Sequence, residues 1–186
     1  KAAQTGHLVL STLHTNDSIS AIIRLLDLEI PSYMMAASLT GILGQRLVRM
    51  LCKCRKQVPP DADFLARMAL VAPKETPDWE YRAAGCSACD GSGYKGRVGI
   101  YEFLVVGEQV RAAIRDGRID AVQDAARAQG MKTLQEDALD KVRAGITTLG
   151  EAMRVISFDR TPVPAAKCNE CGTPQTPSFR FCPQCG

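Results

Sequence analysis

The stretch Lys1-Ala-Ala-Gln-Thr-Gly-His-Leu-Val-Leu-Ser-Thr-Leu-His-Thr-Asn16 decides how this chain is read. Leu8 to Leu13 is a short aliphatic and β-branched run. It predicts a strand buried on both faces, as in parallel sheets. The run ends in Thr12, His14, Thr15 and Asn16, all with hydrogen-bonding side chains. Ligands of open α/β sheets sit at the carboxyl ends of strands, so this tip is a candidate phosphate-sensing edge. His14 is its strongest member, because a neutral imidazole donates one hydrogen bond and accepts another near physiological pH. His7 precedes the strand and reads as a capping or packing residue. A strand that merely ends at a loop carries similar residues, so position alone leaves both readings open. No sequence upstream supplies the rest of such a site, and the chain reads as beginning partway through a domain.

The totals narrow the function classes. At 186 residues and 46% hydrophobic, the chain can bury a real core and hold more than one unit. A net charge of +3 gives no case for a nucleic-acid partner, which needs basic residues concentrated on one face. Aromatics at 5% argue against a base-stacking surface. No run approaches the ~20 apolar residues of a membrane span, and the N-terminus lacks a signal-peptide cleavage site. A cytoplasmic protein is expected. Its eight cysteines fall into two quartets, Cys52, Cys54, Cys86, Cys89 and Cys168, Cys171, Cys182, Cys185. In a reducing compartment such quartets read as zinc sites rather than disulfides.

Asn16 and Asp17 are good N-caps, and Ile19, Ile22, Ile23, Leu25 and Leu26 give a helical apolar face up to about Leu28. Pro31 breaks that helix and opens the next. The pattern from Ser32 to about Leu51 predicts helix again, with Gly41 and Gly44 its weak point, and Met34, Met35 and Met50 read as core filler. A short helix is expected around Ala62–Leu70, and a strand over Val98 to Val106. Two capping boxes, Thr133-Leu-Gln-Glu136 and Thr148-Leu-Gly-Glu151, together with Gly130 and Gly145, predict helices near 108–116, 119–128, 134–144 and 149–157. Asp159 to Lys167, with two prolines, reads as a linker.

The segment from Thr5 to Asn16 closely resembles the His box of the secretion ATPases that power type II secretion and type IV pilus assembly. In that family it follows the Walker B region. Further blocks resemble the family in the same order: Gln45-Arg-Leu-Val-Arg49, the first cysteine quartet, Gly93-Tyr-Lys-Gly-Arg-Val-Gly-Ile-Tyr-Glu102, Gly130-Met-Lys-Thr-Leu134 and Gly145-Ile-Thr-Thr148. The resemblance covers roughly residues 1–158 and not the tail. It implies an α/β fold: the C-terminal part of a RecA-like P-loop ATPase core over 1–51, then a tetracysteine zinc-binding region and strand over 52–107. A C-terminal helical region over 108–158, a linker over 159–167 and a zinc ribbon over 168–186 complete the expected organisation. It also implies that His14 faces the γ-phosphate of ATP bound with Mg2+, with Thr12 and Thr15 as fellow sensors. A homo-hexamer docked on inner-membrane platform proteins follows from the same resemblance, which would place a cytoplasmic protein at the membrane periphery.

Zinc takes four tetrahedral thiolates in a structural site. Cys86-Ser-Ala-Cys89 has the two-residue spacing that turns both sulfurs toward one metal. Cys52-Lys-Cys54 has one intervening residue where the family pattern has two. In an extended backbone that places the side chains on opposite sides, so chelation needs a local distortion; the other reading is a remnant site of buried or free cysteines. Cys168-Asn-Glu-Cys171 and Cys182-Pro-Gln-Cys185 have ribbon spacing, and metal would supply the folding energy of so small a piece. A disulfide knuckle is the other reading there. Phe179 and Phe181 are either the ribbon's own core or a contact face, and the piece reads as a protein-contact or regulatory appendage.

No G-x4-G-K-[ST] occurs in the 186 residues, and no Walker B acid is found. Arg46, Arg49 and Arg97 are candidates for subunit or phosphate contacts, or simply surface ion pairs. Two functions remain open. One is the C-terminal portion of an ATP-hydrolysing motor, inactive by itself. The other is a non-catalytic zinc-binding adaptor derived from such an ATPase.

Overall fold

The computed structural model describes residues 2–158 and the backbone of 166–167 and 174–175. The second cysteine quartet, Cys168, Cys171, Cys182 and Cys185, lies outside the described residues. The centre of the fold is a two-stranded antiparallel ribbon of β1 (Gly41–Leu51) and β4 (Tyr94–Val105), in one register from Gly41 opposite Val105 to Arg49 opposite Arg97, with a bulge before Leu51 meets Tyr94. Helices α1 (Ser18–Asp27) and α2 (Ser32–Ser38) precede it. Between its strands come β2 (Lys56–Val58), α3 (Ala62–Val71) and β3 (Glu80–Arg82), with β2 and β3 paired antiparallel. Helices α4 (Glu108–Arg115), α5 (Ile119–Ala128), α6 (Leu134–Arg143) and α7 (Leu149–Val155) follow. Ala166–Lys167 and Pro174–Gln175 form a further short antiparallel pair. No described helix is long and apolar enough to cross a membrane.

The ribbon alternates, as strands must. Its inward face feeds two cores. Val48 and Ile100 join Met68, Leu134, Leu139, Val142 and Leu149 from α3, α6 and α7. Leu104 and Ile42 join Ile22, Met35, Val110, Ile114 and Val122 from α1, α2, α4 and α5. Its outward face is also apolar but bare, with Leu43 58% and Phe103 55% exposed and Leu47, Tyr101 and Val105 beside them.

The helices have local causes. Asp17 caps α1, accepting from the Ser20 N–H at 2.7 Å, and Asp61 caps α3 in the same way from Phe64. Thr133 and Glu136 close a full capping box on α6. Thr148 caps α7 by accepting from the Glu151 N–H, but the Glu151 carboxylate turns to arginines instead of back to Thr148, so the second expected box is only half formed.

Three expectations fail. The helix predicted from Ser32 to Leu51 stops at Ser38, and the rest is β1. Gly41 and Gly44 weaken a helix there, and pairing with β4 supplies a ladder that the local pattern cannot reveal. Of the methionines read as core, Met35 is buried while Met50 is exposed. Leu8 to Leu13 forms no strand, with Leu8 84% and Leu10 87% exposed. A strand needs a neighbour for its N–H and C=O groups. Here β1 pairs with β4 and β2 with β3, leaving no described strand beside this run.

Candidate functional site

The ribbon register builds the first cysteine cluster. Leu51 lies opposite Tyr94, so the residues just beyond meet: the Cys52 N–H donates to the Gly93 carbonyl at 2.9 Å. Cys52 and Cys54 thus leave β1 where Cys86 and Cys89 approach β4. The four sulfurs lie within 4.8 Å of one another. Cys52 to Cys86 and Cys54 to Cys89 are each 3.9 Å, and Cys86 to Cys89 is 3.7 Å. Tetrahedral zinc with Zn–S bonds of about 2.3 Å requires sulfurs about 3.8 Å apart, so the donor set fits that metal. The one-residue spacing proves no obstacle. Cys52 to Arg55 is a turn, closed by the Arg55 N–H on the Cys52 carbonyl at 2.9 Å, rather than the extended backbone expected.

Glycine is needed to close the other side. Gly93 has φ +73°, and a Cβ there would fall 2.5 Å from the Ala83 Cβ. Its N–H and that of Cys86 each donate to the Cys89 sulfur at 3.2 Å. Burial opposes ionisation of Cys89, but those N–H donors outweigh it and hold the thiol down at about 7. Burial, then hydrogen bonds with the Cys86, Cys52 and Cys89 sulfurs, pushes Cys54 up to about 12. A thiolate is what binds metal, so Cys89 is the sulfur best prepared for it.

The segment Thr12–Asn16 is arranged differently. Thr12 and His14 are exposed. The Thr15 hydroxyl is turned back, donating to the Asp17 carbonyl at 3.2 Å. His7 lies 3.1 Å from the Thr5 hydroxyl through its Nδ1, a local contact in keeping with a capping residue. Of the three arginines, Arg49 pairs with Glu151 at 2.8 Å and stacks on Tyr94, while Arg97 is exposed on the ribbon. Arg46 reaches the Thr15 and Asn16 carbonyls and the Asn16 side chain.

The sequence reading missed Glu102 and Ser18. The Glu102 carboxylate is buried and accepts from the Ser18 N–H at 2.9 Å, from the Ser18 hydroxyl, and from the Leu134 N–H at 3.2 Å. A carboxylate between two helix N-termini satisfies their unpaired N–H groups and favours their dipoles. The only sequence signal was a glutamate inside an apolar strand, which has meaning once its face is known.

A family model described as type II/IV secretion system protein matches residues 1–154. The chain belongs to that family. Its relatives include the type IV pilus assembly ATPase PilB of Thermus thermophilus, 45% identical over 82% of this chain and 17% of the relative. The type II secretion system ATPase E of Vibrio cholerae is 42% identical over 83% of this chain and 31% of its own length. The type II secretion system protein HxcR of Pseudomonas aeruginosa is 41% identical over 83% and 29%. The chain therefore spans less than a third of the length of these secretion-family relatives. The crystal structure of the pilus retraction motor PilT with bound ADP shares the fold, with a TM-score of 0.52 at 22% identity, over 82% of this chain and 34% of that one.

Proposed function

We propose that this chain is the C-terminal part of an ATPase that hydrolyses ATP to power type II secretion or the assembly of a type IV pilus or pseudopilus. The observation that carries the reading is the family match over residues 1–154, together with 42–45% identity to two relatives named as a type IV pilus assembly ATPase and a type II secretion system ATPase. Two features of the fold support it. The Leu8–Leu13 run is apolar yet exposed, as a central strand would be without its sheet neighbours. The outward face of the ribbon is bare and apolar, as a sheet face would be without the layer that covers it.

On this reading the ATP-binding half of the polypeptide lies upstream of Lys1 and brings a nucleotide with Mg2+ to the carboxyl end of the Leu8–Leu13 run. The nucleotide supplies the phosphoryl group whose transfer to water drives the motor. His14, exposed at that end, gives a hydrogen bond to the γ-phosphate, and the Thr12 hydroxyl is a second donor. The Thr15 hydroxyl, bonded to the Asp17 carbonyl, contributes by shaping the turn. The first cysteine quartet holds zinc and fastens the segment between β1 and β4 to the end of the ribbon. The second quartet, Cys168, Cys171, Cys182 and Cys185, holds another in a ribbon that serves as a protein-contact or regulatory appendage. A homo-hexamer on an inner-membrane platform is the assembly in which such a motor works.

The test is to read the codons upstream of Lys1. In-frame Walker A and Walker B motifs are expected. A start codon with a ribosome-binding site at that point would replace the motor by a zinc-bearing adaptor with no ATPase activity.

A further inference from the structure

The inward face of the ribbon has one polar interruption. Ile42 and Leu104 pack into one core, Val48 and Ile100 into the other. Between them, on the same face, lie Gly44, Arg46 and Glu102, with Gly44 directly opposite Glu102. All three meet the segment that leaves His14. Arg46 donates through one nitrogen, Nη2, to Asn16 Oδ1 at 2.8 Å, to the Asn16 carbonyl at 3.2 Å and to the Thr15 carbonyl at 3.4 Å. Glu102 accepts from the backbone and hydroxyl of Ser18. A Cβ on Gly44 would lie 3.6 Å from the Ser18 nitrogen. The polar seam between the two cores is thus a cradle for Thr15–Ser18. It borders a cavity of about 350 Å³ lined in part by Asn16, Asp17, Arg46 and Glu102.

Arg46 has no carboxylate in ion-pair reach among the described residues. Its charge is spent on the two carbonyls and one amide that follow His14. Hydrogen bonds from an ionised donor are roughly twice as strong as neutral ones. These fix the path of the backbone one and two residues beyond the imidazole, whereas Ser18 is already held by Glu102 and by its place in α1. Without Arg46, the hydrogen-bonded link from His14 to the ribbon begins only at Ser18, through Glu102.

We infer that Arg46 is a positioning residue for His14: it anchors the Thr15–Asn16 turn to the ribbon and so aims the imidazole, without itself touching the nucleotide. This rests on the reading that His14 meets the γ-phosphate. A misplacement of about 1 Å in a reacting group can cost about 100-fold in rate.

The experiment is a double-mutant cycle on steady-state ATP hydrolysis and ATP binding, using the full-length gene product with His14→Ala, Arg46→Met and both. Arg46→Met is expected to lower kcat about 10- to 100-fold, to leave KM for ATP within about twofold, and to cost nothing further in the His14→Ala background. If the two losses simply multiply, Arg46 is structural and the inference is overturned. If His14→Ala is impaired but Arg46→Met is not, the inference falls while the reading of His14 stands. If His14→Ala keeps the parental rate, the reading of His14 fails and the inference falls with it. Should Arg46→Met not fold, Asn16→Ala removes the 2.8 Å acceptor from an exposed position and is expected to show the same non-additivity; multiplying losses in that cycle overturn the inference equally.

Discussion

Glu151 is the residue whose chemistry most directly holds two parts of this fold together. Its side chain is buried on α7, yet it accepts from the Arg154 guanidinium, from Arg49 at 2.8 Å and from the Arg49 backbone N–H at 3.0 Å on β1. The Arg154 hydrogen bond first, and then those from Arg49, outweigh burial and hold its carboxyl well below the usual 4.5, at about 2. A carboxylate with a depressed folded-state pKa adds stability that is complete above its unfolded value. That part is lost as pH falls from about 4.5 toward 2. Both arginines are half-exposed and screened by water, so the contribution is on the order of 1–3 kcal/mol. Glu151→Gln should lower Tm at pH 7 by roughly 3–10 °C. The gap between parent and variant should narrow as the melts are repeated down to pH 3, and close only near pH 2. A gap independent of pH would show that packing, not charge, ties α7 to β1.

Among the elements, the segment between β1 and β4 is held at its two ends by the first cysteine quartet and in its middle by α3, which packs Met68 into the core. Cys86→Ser should reduce bound zinc by one equivalent per chain, counted by atomic emission, and lower Tm by about 10 °C or more. Unchanged zinc content in that variant would remove the metal from the account. The elements also show what the residues could disclose. Helices α4 to α7 were legible because their causes are local: Thr133 and Glu136 bond to each other's backbone within one turn, and Gly130 and Gly145 mark where helices stop. The first cysteine quartet was legible as a set because four thiols in two pairs suit one tetrahedral metal, although the turn at Cys52–Arg55 was not. β1 was misread because its ladder partner lies at Tyr94–Val105, far along the chain, and no window around Gly44 contains it. The Arg46–Glu102 seam was hidden for the same reason. Until the strand and its register are known, nothing says that Gly44, Arg46 and Glu102 share a face.

At the scale of the whole molecule, the fold is a ribbon carrying a core toward each end of its inward face, with a polar seam between them. The seam receives the turn after His14, and Glu102 passes on to the first N–H of α6. Glu102 therefore joins the start of α1 to the start of α6. The opposite face of the ribbon and the Leu8–Leu13 run remain apolar and exposed, the surfaces on which the rest of a RecA-like core is proposed to lie. The most direct measurement is the steady-state rate of ATP hydrolysis by the full-length gene product, compared with the same protein carrying His14→Ala. The account predicts turnover by the parent and a loss of about 100-fold in the variant, the scale of removing one preorganised donor to developing charge. A parent that hydrolyses no ATP, or a variant that hydrolyses it at the parental rate, would contradict it.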